Sequence, residues 1–424
     1  MRNKGIFFVW LAIFLTVVLF VTSKISFDMP LEFSFLYFSQ LASLVGTVLL
    51  GISFIISGRF KWVEDLFGGL DKMYKVHHVT GGVAFVMLLH HPLFLIVDVL
   101  PDISFASKYF WFSNLLPYNF GIMALYTMLI LLALTFLINL PYNLWAKTHE
   151  YMGVVLLLAC VHILTITSDV SRYFPLKFWV VLWLMASMVA VVYKRILYRY
   201  FGPKYKYIVE KVGVLDEVVE IWLKPKGEAM SYYPGQFVFS VFEKLGSESH
   251  PFSIASNGFD GRIRLDIKIL GDYTLKAKQI VVGDTADVYG PYGKFFESLV
   301  GKKELVFIAG GIGVTPFLGM LDLAKKWNRQ KITMIYCAKT EPEMIFDKEI
   351  ADKVKQSEQI TYFRYCSDEK GRITAESILK MAGGGDDKKF LLCGPTSMME
   401  SLTEQLADAG VKRRNIIFED FNFK

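Results

Sequence analysis

Six of the seven histidines in this 424-residue sequence lie in or beside long apolar segments. A strongly polar side chain inside a membrane helix is costly, which makes it a candidate functional group. Histidine is also a common axial ligand of haem iron. The pattern therefore predicts histidine ligands for haem within a membrane. The six residues are His77, His78, His90, His91, His149 and His162.

The spacing of these histidines favours two pairs. His77 and His91 are 14 residues apart, which is about 21 Å of helical rise and close to four full turns, so both lie on nearly the same face. His149 and His162 are 13 residues apart, and a local bulge or tilt would be needed to aim both at one partner helix. We therefore expect two stacked haems, an inner one between His77 and His149 and an outer one between His91 and His162.

The neighbouring residues leave the register of the ligands open. His78 and His90 adjoin the preferred ligands and stay as alternatives. Gly81 and Gly82 follow His77 by about one helical turn, and their missing side chains would let a flat macrocycle approach the backbone. No carboxylate lies midway along either histidine-bearing segment, which disfavours a metal-transport path.

The segments that carry the histidines belong to a set of six predicted membrane-spanning helices. Most approach the roughly 20 residues that a helix needs to cross the hydrocarbon core, and they cover residues 6–22, 33–56, 76–97, 120–140, 151–166 and 174–193. Basic residues follow the second and sixth segments, so the positive-inside rule predicts that both termini lie in the cytoplasm. No small-residue cleavage site follows the first segment, which we therefore expect to remain as a membrane helix.

Composition divides the chain near residue 200. Apolar residues make up 53 % of the whole, but the long apolar runs end there, and the remainder has the charge density of a soluble α/β protein. The net charge of +6 is modest and the basic residues form no stripe, which argues against nucleic-acid binding. The four cysteines have no paired spacing that would predict zinc or disulfides.

The second part begins with short alternating segments that are typical of an antiparallel β-barrel. They cover residues 207–212, 218–223, 236–241 and 264–269. Three short motifs accompany them. The first is predicted to end a loop, the second to follow a strand and the third to close the barrel: His250-Pro251-Phe252-Ser253, Gly271-Asp272-Tyr273-Thr274 and Gly290-Pro291-Tyr292-Gly293.

Two further motifs follow predicted buried strands near the end of the chain. Residues 304–309 lead into Gly310-Gly311-Ile312-Gly313-Val314-Thr315-Pro316, which opens a helix. Glycines between a strand and a helix free backbone N–H groups for phosphate. Residues 389–392 lead into Cys393-Gly394-Pro395. Lys339 and Arg372 could bind the 2′-phosphate of a dinucleotide, although both are equally compatible with ordinary surface charges.

With these motifs in this order, the sequence resembles the ferredoxin-reductase-type flavoproteins and, within them, the NADPH oxidase and ferric reductase superfamily. The resemblance covers essentially the whole chain. It implies a six-helix transmembrane haem-binding bundle over residues 1–200, an antiparallel β-barrel FAD domain over residues 201–298 and an α/β Rossmann-like NAD(P) domain over residues 299–424. The implied cofactors are FAD, two b-type haems, and NADPH or NADH.

The resemblance also implies roles for individual residues. His250 would face the flavin pyrophosphate, Phe252 would pack on the isoalloxazine and the Ser253 hydroxyl would lie near N5. Cys393 would lie beside the nicotinamide, and Phe421 near the end of the chain would stack over the flavin, with Phe423 as a second candidate. The other residues that we expect to contact the cofactors are Pro251, Lys268, Gly271, Asp272, Thr274, Gly290, Gly310, Gly311, Gly313, Thr315, Pro316, Lys339, Arg372, Gly394 and Pro395.

The expected function is electron transfer from NAD(P)H through FAD and the two haems to an acceptor outside the cell membrane. The outer loop over residues 99–117 is short and aromatic, which favours O2, giving superoxide, over a ferric or cupric chelate. A nucleotide-regulated transporter or proton channel without redox turnover is the alternative from another class. No obligate protein partner is evident in the sequence.

Overall fold

The computed structural model describes residues 4–299, 304–327 and 330–419. The chain forms two compact units that meet in the sequence between Arg199 and Tyr200. The first contains the long apolar helices and the second contains both β-sheets, and they are called here the membrane unit and the reductase unit. The boundary predicted at residues 298–299 within the reductase unit stays a prediction.

Within the described residues, six helices are long and apolar enough to span a membrane, as the sequence predicts. They are α1 Lys4–Ser26, α2 Phe35–Ser57, α4 Leu70–Val99, α6 Leu116–Phe136, the pair α7 Tyr142–Glu150 and α8 Met152–Thr165, and α10 Phe174–Val192. Short helices connect them: α3 Lys61–Phe67, α5 Ile103–Ala106, α9 Asp169–Arg172 and α11 Tyr198–Phe201.

The helix α2 lies at the centre of the membrane unit because small residues allow its neighbours to approach closely. A Cβ atom on Gly46 would lie 2.9 Å from Cγ of Leu88 on α4. On the other side, a Cβ atom on Gly51 would lie 3.1 Å from the hydroxyl of Ser187 on α10. This close packing brings buried polar side chains of α2 against the histidine-bearing face of α4.

The first sheet of the reductase unit is antiparallel, in the order β4-β3-β6-β1-β2-β5. An isolated bridge between Ile254 and Leu265 links its two edges, giving a half-barrel. Its strands are β1 Lys204–Leu215, β2 Val218–Pro225, β3 Phe237–Phe242, β4 His250–Ser253, β5 Ile263–Lys268 and β6 Thr285–Tyr292. The short helix α12, Asp272–Lys276, follows β5.

One local prediction here is wrong. The sequence predicts that His250–Ser253 ends a loop, whereas it forms the edge strand β4, paired with β3 from Phe237 to Ser240. Pro251 has no N–H to donate, which argues against a strand in the middle of a sheet. An edge strand tolerates proline because one side of it needs no partner.

The second sheet is parallel, in the order β11-β10-β7-β8-β9. Apolar residues of its strands are packed between helices, which explains the continuous apolar runs in the sequence. Its strands are β7 Glu304–Gly310, β8 Lys331–Ala338, β9 Ile360–Cys366, β10 Lys389–Cys393 and β11 Ile416–Phe418. The helices are α13 Thr315–Trp327, α14 Asp347–Lys355, α15 Ser367–Lys370, α16 Ala375–Ala382 and α17 Thr396–Asp408.

The two sheets of the reductase unit are joined by close packing and by buried charge. A Cβ atom on Gly319 of α13 would lie 2.4 Å from the carbonyl oxygen of Ser256. Arg264 of β5 reaches from the first sheet to Glu349 of α14, with Nη1 2.9 Å from the carboxylate. The Arg264 side chain is only 7 % exposed, so this ion pair is largely buried.

Candidate functional sites

The inner histidine pair brings together two helices that are distant in the sequence. The ring centres of His77 on α4 and His149 on α7 are 6.2 Å apart, and the ring planes are inclined at 79°. Metal–imidazole nitrogen bonds are about 2 Å long, so a metal ion between two imidazoles separates the ring centres by roughly 6 Å. The spacing of this pair therefore fits an iron ion held between the two rings.

The outer pair consists of His91 on α4 and His162 on α8, and the ring of His162 is held by α6. His91 lies within electrostatic range of His162 on α8. The Nδ1 atom of His162 is 2.7 Å from the carbonyl oxygen of Pro117 at the start of α6. A Cβ atom on Gly121 of α6 would lie 2.9 Å from the same nitrogen. The first two turns of α6 therefore supply both a hydrogen-bond acceptor and the space for the His162 ring.

The fifth span contains the irregularity that its 13-residue histidine spacing requires. Helix α7 ends at Glu150 and α8 begins at Met152, with Tyr151 between them at φ −68° and ψ −5°. Trp145, one turn before His149, stacks on the His149 ring with 5.5 Å between the ring centres. The Nδ1 atom of His149 is buried and has no hydrogen-bond partner among the described residues.

The alternative ligands have different surroundings. His78 is exposed, although its ring centre is 6.0 Å from that of His77. The Nδ1 atom of His90 is 2.7 Å from the carbonyl oxygen of Val86 in its own helix. Gly81 faces the hydroxyl of Ser53, with 3.3 Å between that oxygen and the position of a Cβ atom, whereas Gly82 faces open space. Gly81 therefore allows α2 to pack closely against α4 at Ser53.

Two of the flavin motifs meet at an aromatic stack. The ring of His250 on β4 lies on the ring of Tyr273 on α12, with 3.5 Å between the ring centres. The Nε2 atom of His250 is 3.4 Å from a carboxylate oxygen of Glu248. Burial lowers the pKa of His250, and the hydrogen bond to Glu248 opposes that effect. Burial also raises the pKa of Tyr273 to about 12.

The turn that precedes α12 is organised by its own threonine. Thr274 Oγ1 accepts hydrogen bonds from the N–H groups of Leu270 and Gly271, at 2.8 and 3.0 Å, and donates to the Gly271 carbonyl. A Cβ atom on Gly271 would meet no atom within 4 Å. Asp272 accepts a hydrogen bond from the Tyr273 N–H. The motif is thus a rigid turn whose glycine faces open space.

The other residues predicted around the flavin lie on the same half-barrel. Pro251, Phe252 and Ser253 are half-buried on β4, and Lys268 is half-buried at the end of β5. Gly290 on β6 has a φ of +147°, and a Cβ atom there would lie 3.2 Å from Val238. Gly290 therefore serves the close packing of β6 on β3.

The two glycine motifs of the second sheet are in direct backbone contact. They follow the adjacent parallel strands β7 and β10, whose carboxyl ends share one edge of the sheet. A Cβ atom on Gly313 would lie 2.3 Å from the Cys393 carbonyl oxygen, and one on Gly394 would lie 3.1 Å from Gly310. Gly311 has a φ of +54° and faces open space.

Beside these loops Thr315, Pro316 and Cys393 are buried, whereas Pro395 is exposed. The Thr315 hydroxyl donates to the Ile312 carbonyl at the start of α13, and Pro316 follows in the first turn of that helix. Pro395 packs against Gly310, 3.0 Å from the position of a Cβ atom. Burial raises the pKa of the Cys393 thiol, and the nearby Glu419 carboxylate raises it further.

The predictions for residues farther from these loops stay untested. Lys339 and Arg372 are both exposed, after β8 and after α15, and the Lys339 carbonyl accepts the N–H of Asp368. Their predicted contact with a 2′-phosphate stays a prediction. Phe421 and Phe423 lie outside the described residues.

Sequence reasoning missed several residues that surround these sites. Glu419 is buried beside Cys393, and its Oε1 accepts the backbone N–H groups of Lys294 and Phe295. Its place directly after the apolar residues of β11 is the sequence feature that indicates a functional position. Ser39, Ser53 and Pro117 contact histidine nitrogens from helices that carry no histidine, and nothing in their local sequence distinguishes them.

Comparisons with known families agree with this division of the chain. Residues 42–160 match the family described as ferric reductase like transmembrane component. Residues 205–313 match an FAD-binding domain, and residues 307–404 match an oxidoreductase NAD-binding domain. A multi-pass membrane domain followed by these two domains defines a class of membrane oxidoreductases. This order of domains is the architecture of the NADPH oxidase and ferric reductase superfamily.

Individual relatives cover only part of the chain. The flavohemoprotein of Vibrio cholerae serotype O1 is 29 % identical over 212 residues, which are 46 % of this chain and 52 % of that protein. A component of the Na(+)-translocating NADH-quinone reductase of a Marinomonas species is 31 % identical over 153 residues, 33 % of this chain and 37 % of that protein. The chain thus spans about half or less of the length of these two curated relatives.

One solved structure resembles most of the chain in fold alone. The flavohemoglobin of Malassezia yamatoensis, crystallised with bound FAD and heme, has a TM-score of 0.53 and 17 % sequence identity. The alignment covers 91 % of this chain and 95 % of that structure.

Proposed function

We propose that this protein transfers electrons from NAD(P)H across a membrane to an acceptor on the outer side, with FAD and two b-type haems as the carriers. The observation that carries the proposal is the 6.2 Å separation between the His77 and His149 ring centres, which fits an iron ion bound between them. His91 and His162 would hold the second haem. FAD would accept electrons in a pair and release them singly, and each haem would carry one electron at a time.

The residues of the reductase unit have matching tasks. Phe252 offers an apolar wall to the flavin ring, and His250, held against Tyr273, offers a ring nitrogen to its pyrophosphate. The Gly310–Gly313 turn contacts the Cys393-Gly394 turn. Together the two turns would form the surface on which the nicotinamide nucleotide binds. The Cys393 thiol stays protonated because burial raises its pKa. Cys393 would therefore be an uncharged side chain at the border of the site, where it excludes water and takes no part in proton transfer.

The distribution of charge supports an orientation with both termini in the cytoplasm. Basic residues follow the second and sixth spans, which end on the same side of a six-span bundle. Few basic residues occupy the connections on the opposite side. The basic residues that face the cytoplasm in this orientation are Arg59, Lys61, Lys72, Lys75, Lys194 and Arg195.

We propose O2 as the acceptor. The three charged residues from Asp98 to Lys108 in and beside the outer loop are already engaged within the protein. Asp98 accepts the N–H of Leu36, and Asp102 accepts that of Phe105. The Lys108 ammonium lies 4.6 Å from the Phe105 ring centre. Two carboxylates and one ammonium group are few charges for recognising a charged metal chelate, whereas O2 needs only a small apolar path.

The first experiment measures haem in the purified protein. We expect two b-type haems per chain by pyridine haemochrome, and loss of one in His77→Ala and in His149→Ala. His90→Ala, which removes a ring bonded to its own helix, is expected to keep both. A wild-type protein without a haem absorption band would contradict the proposal and favour a nucleotide-regulated transporter. Loss of haem in His78→Ala but not in His77→Ala would overturn the ligand assignment.

The second experiment identifies the acceptor. With FAD and NADPH in air, we expect cytochrome c reduction that superoxide dismutase suppresses. Comparison of NADPH with NADH under the same conditions establishes the preferred donor. Turnover that requires a ferric or cupric chelate under anaerobic conditions, with no superoxide in air, would replace the O2 assignment with metal reduction.

A further inference from the structure

Two buried serines of α2 repeat the spacing of two histidines of α4. Ser39 and Ser53 are 14 residues apart, as are His77 and His91, and because the helices run antiparallel each serine meets one histidine. Ser53 Oγ is 2.8 Å from Nδ1 of His77, and Ser39 Oγ is 2.8 Å from Nδ1 of His91. Both serines are almost completely buried, so their hydroxyl groups need partners inside the protein.

The contacts of Ser39 define which atom carries the proton. The Ser39 hydroxyl is 2.8 Å from the carbonyl oxygen of His91 and donates to it, which leaves its oxygen to accept from Nδ1. The Ser39 carbonyl oxygen is 3.2 Å from the same nitrogen and can only accept. Both oxygens therefore favour a proton on Nδ1 of His91, and Nε2 keeps the lone pair that a metal ligand needs.

Ser53 likewise places two oxygen atoms beside Nδ1 of His77. Its carbonyl oxygen is 3.0 Å from Nδ1 and its hydroxyl oxygen is 2.8 Å from it. Since a carbonyl oxygen cannot donate, Nδ1 is the donor. Gly81, one turn along α4, leaves room for this hydroxyl, because a Cβ atom there would lie 3.3 Å from it.

We propose that Ser39 and Ser53 are positioning residues, one for each haem, that fix the proton on Nδ1 and direct Nε2 of His91 and His77 toward iron. The inference rests on the proposed function, since it assumes that these histidines are axial ligands. A hydrogen bond from the second ring nitrogen fixes the orientation of a ligating histidine and raises its basicity. A more basic ligand stabilises ferric iron, so each serine lowers the midpoint potential of its haem.

The two layers depend on their serines to different degrees. In the outer layer, His162 has its own acceptor in the Pro117 carbonyl. In the inner layer, Nδ1 of His149 has no partner among the described residues. Ser53 therefore holds the better-fixed ligand of the inner haem, and we expect its removal to have the larger effect.

The test compares serines of the same helix. The variants are Ser53→Ala and Ser39→Ala, with Ser57→Ala and Ser43→Ala as matched controls. Each control serine lies four residues beyond its counterpart, and its hydroxyl donates only to a carbonyl of its own helix, that of Phe54 for Ser57 and of Gln40 for Ser43. The readouts are haem content, redox titration followed in the haem absorption bands, and the low-spin ferric EPR signal.

We expect Ser53→Ala to raise the midpoint potential of one haem, to change its EPR signal and to weaken haem retention on the order of 10-fold. Ser39→Ala should shift the other haem by less, and Ser53→Thr, which keeps the hydroxyl, should restore the wild-type potential. If Ser53→Ala does not accumulate, Ser53→Cys supplies a weaker acceptor of similar size and should shift the potential in the same direction. Serine variants that match Ser43→Ala and Ser57→Ala in potential and EPR would overturn this inference alone. A wild-type protein that binds no haem would overturn the proposed function itself.

Discussion

The two units form their candidate sites in different ways. In the membrane unit, side chains from separate helices converge, as His77 and His149 do with 6.2 Å between ring centres. In the reductase unit, the contact is between backbones, and it exists because Gly313 has no side chain to separate it from Cys393. The first kind of site depends on the chemistry of the groups that are present, and the second depends on the absence of side chains.

The comparison predicts where small substitutions have large effects. An added methyl group should be most harmful in the reductase unit, where backbone meets backbone. A lost polar partner should be most harmful in the membrane unit, because water that could replace it is excluded from the bilayer.

The largest expected effect follows from Gly313→Ala. The new Cβ atom would lie 2.3 Å from the Cys393 carbonyl oxygen and 2.7 Å from the Gly394 nitrogen, and both are backbone atoms. The two turns must move apart, and a displacement near 1 Å at a site of hydride transfer costs about 100-fold in rate. We expect a loss of that size in NAD(P)H oxidation with ferricyanide as the acceptor.

Gly213→Ala is the matched control for this change. It lies in the same unit, and the nearest atom to its Cβ position is 3.7 Å away on Glu220, an ordinary contact. It should oxidise NAD(P)H at the wild-type rate. Equal rates in the two variants would show that the backbone contact at Gly313 has no role in the reaction.

The second prediction concerns a buried ion pair of the membrane unit. The Lys24 ammonium is 2.6 Å from the Asp169 carboxylate, and the side chains are 1 % and 8 % exposed. Lys24 also donates to Gln40 of α2. Lys24→Met leaves a buried carboxylate without its cation, which should lower the free energy of unfolding by about 3–5 kcal/mol. Thermal unfolding in detergent measures this change.

Two further variants test the cause of that loss. Lys24→Met combined with Asp169→Leu removes both charges and should recover most of the lost stability. Asp65→Asn breaks the half-exposed pair between Lys61 and Asp65, 3.8 Å apart, and should cost less than about 1 kcal/mol. If the double variant is less stable than Lys24→Met, the two side chains stabilise the fold by more than neutralising each other's charge.

The elements that were predicted well are those whose pattern is local. Apolar runs locate the six spans because hydrocarbon requires apolar side chains over the whole crossing. The ends of the spans are less accurate. Helix α4 begins at Leu70 rather than at residue 76 because Asp71, Lys72 and Lys75 interrupt the apolar run without interrupting the helix. The strand β4 was missed because Pro251 is typical of loops and its edge position is not visible in the sequence.

The contacts between helices could not be predicted in the same way. A serine within a helix commonly bonds to its own backbone, as Ser43 and Ser57 do. Nothing in the sequence around Ser39 or Ser53 distinguishes them from these neighbours. Their contacts with His91 and His77 depend on how α2 packs against α4, and only the tertiary structure contains that information.

The smallest predicted effect tests the buried charges of the reductase unit. Burial is the main cause that raises the pKa of Asp266 to about 7; Arg264 opposes the shift, and Glu220 and Glu349 add to it. A carboxyl group whose pKa is higher in the folded state stabilises the fold when it is protonated. That stability is complete below the ordinary pKa of aspartate, near 4, and it is lost as the pH rises through about 7.

Asp266→Asn removes this titration. The wild-type reductase unit should lose roughly 2 kcal/mol between pH 5 and pH 8, or about 5 °C in its unfolding midpoint, and the variant should lose clearly less. The fluorescence of released FAD on heating reports the unfolding of this unit. Asp216→Asn, in the exposed turn between β1 and β2, should keep the wild-type profile. The baseline stability of Asp266→Asn is expected to fall because its amide faces Arg264, so the slope with pH is the quantity that decides. An unchanged slope would mean that Arg264 keeps Asp266 ionised throughout this range, and that the reductase unit, like the membrane unit, contains a permanently charged buried pair.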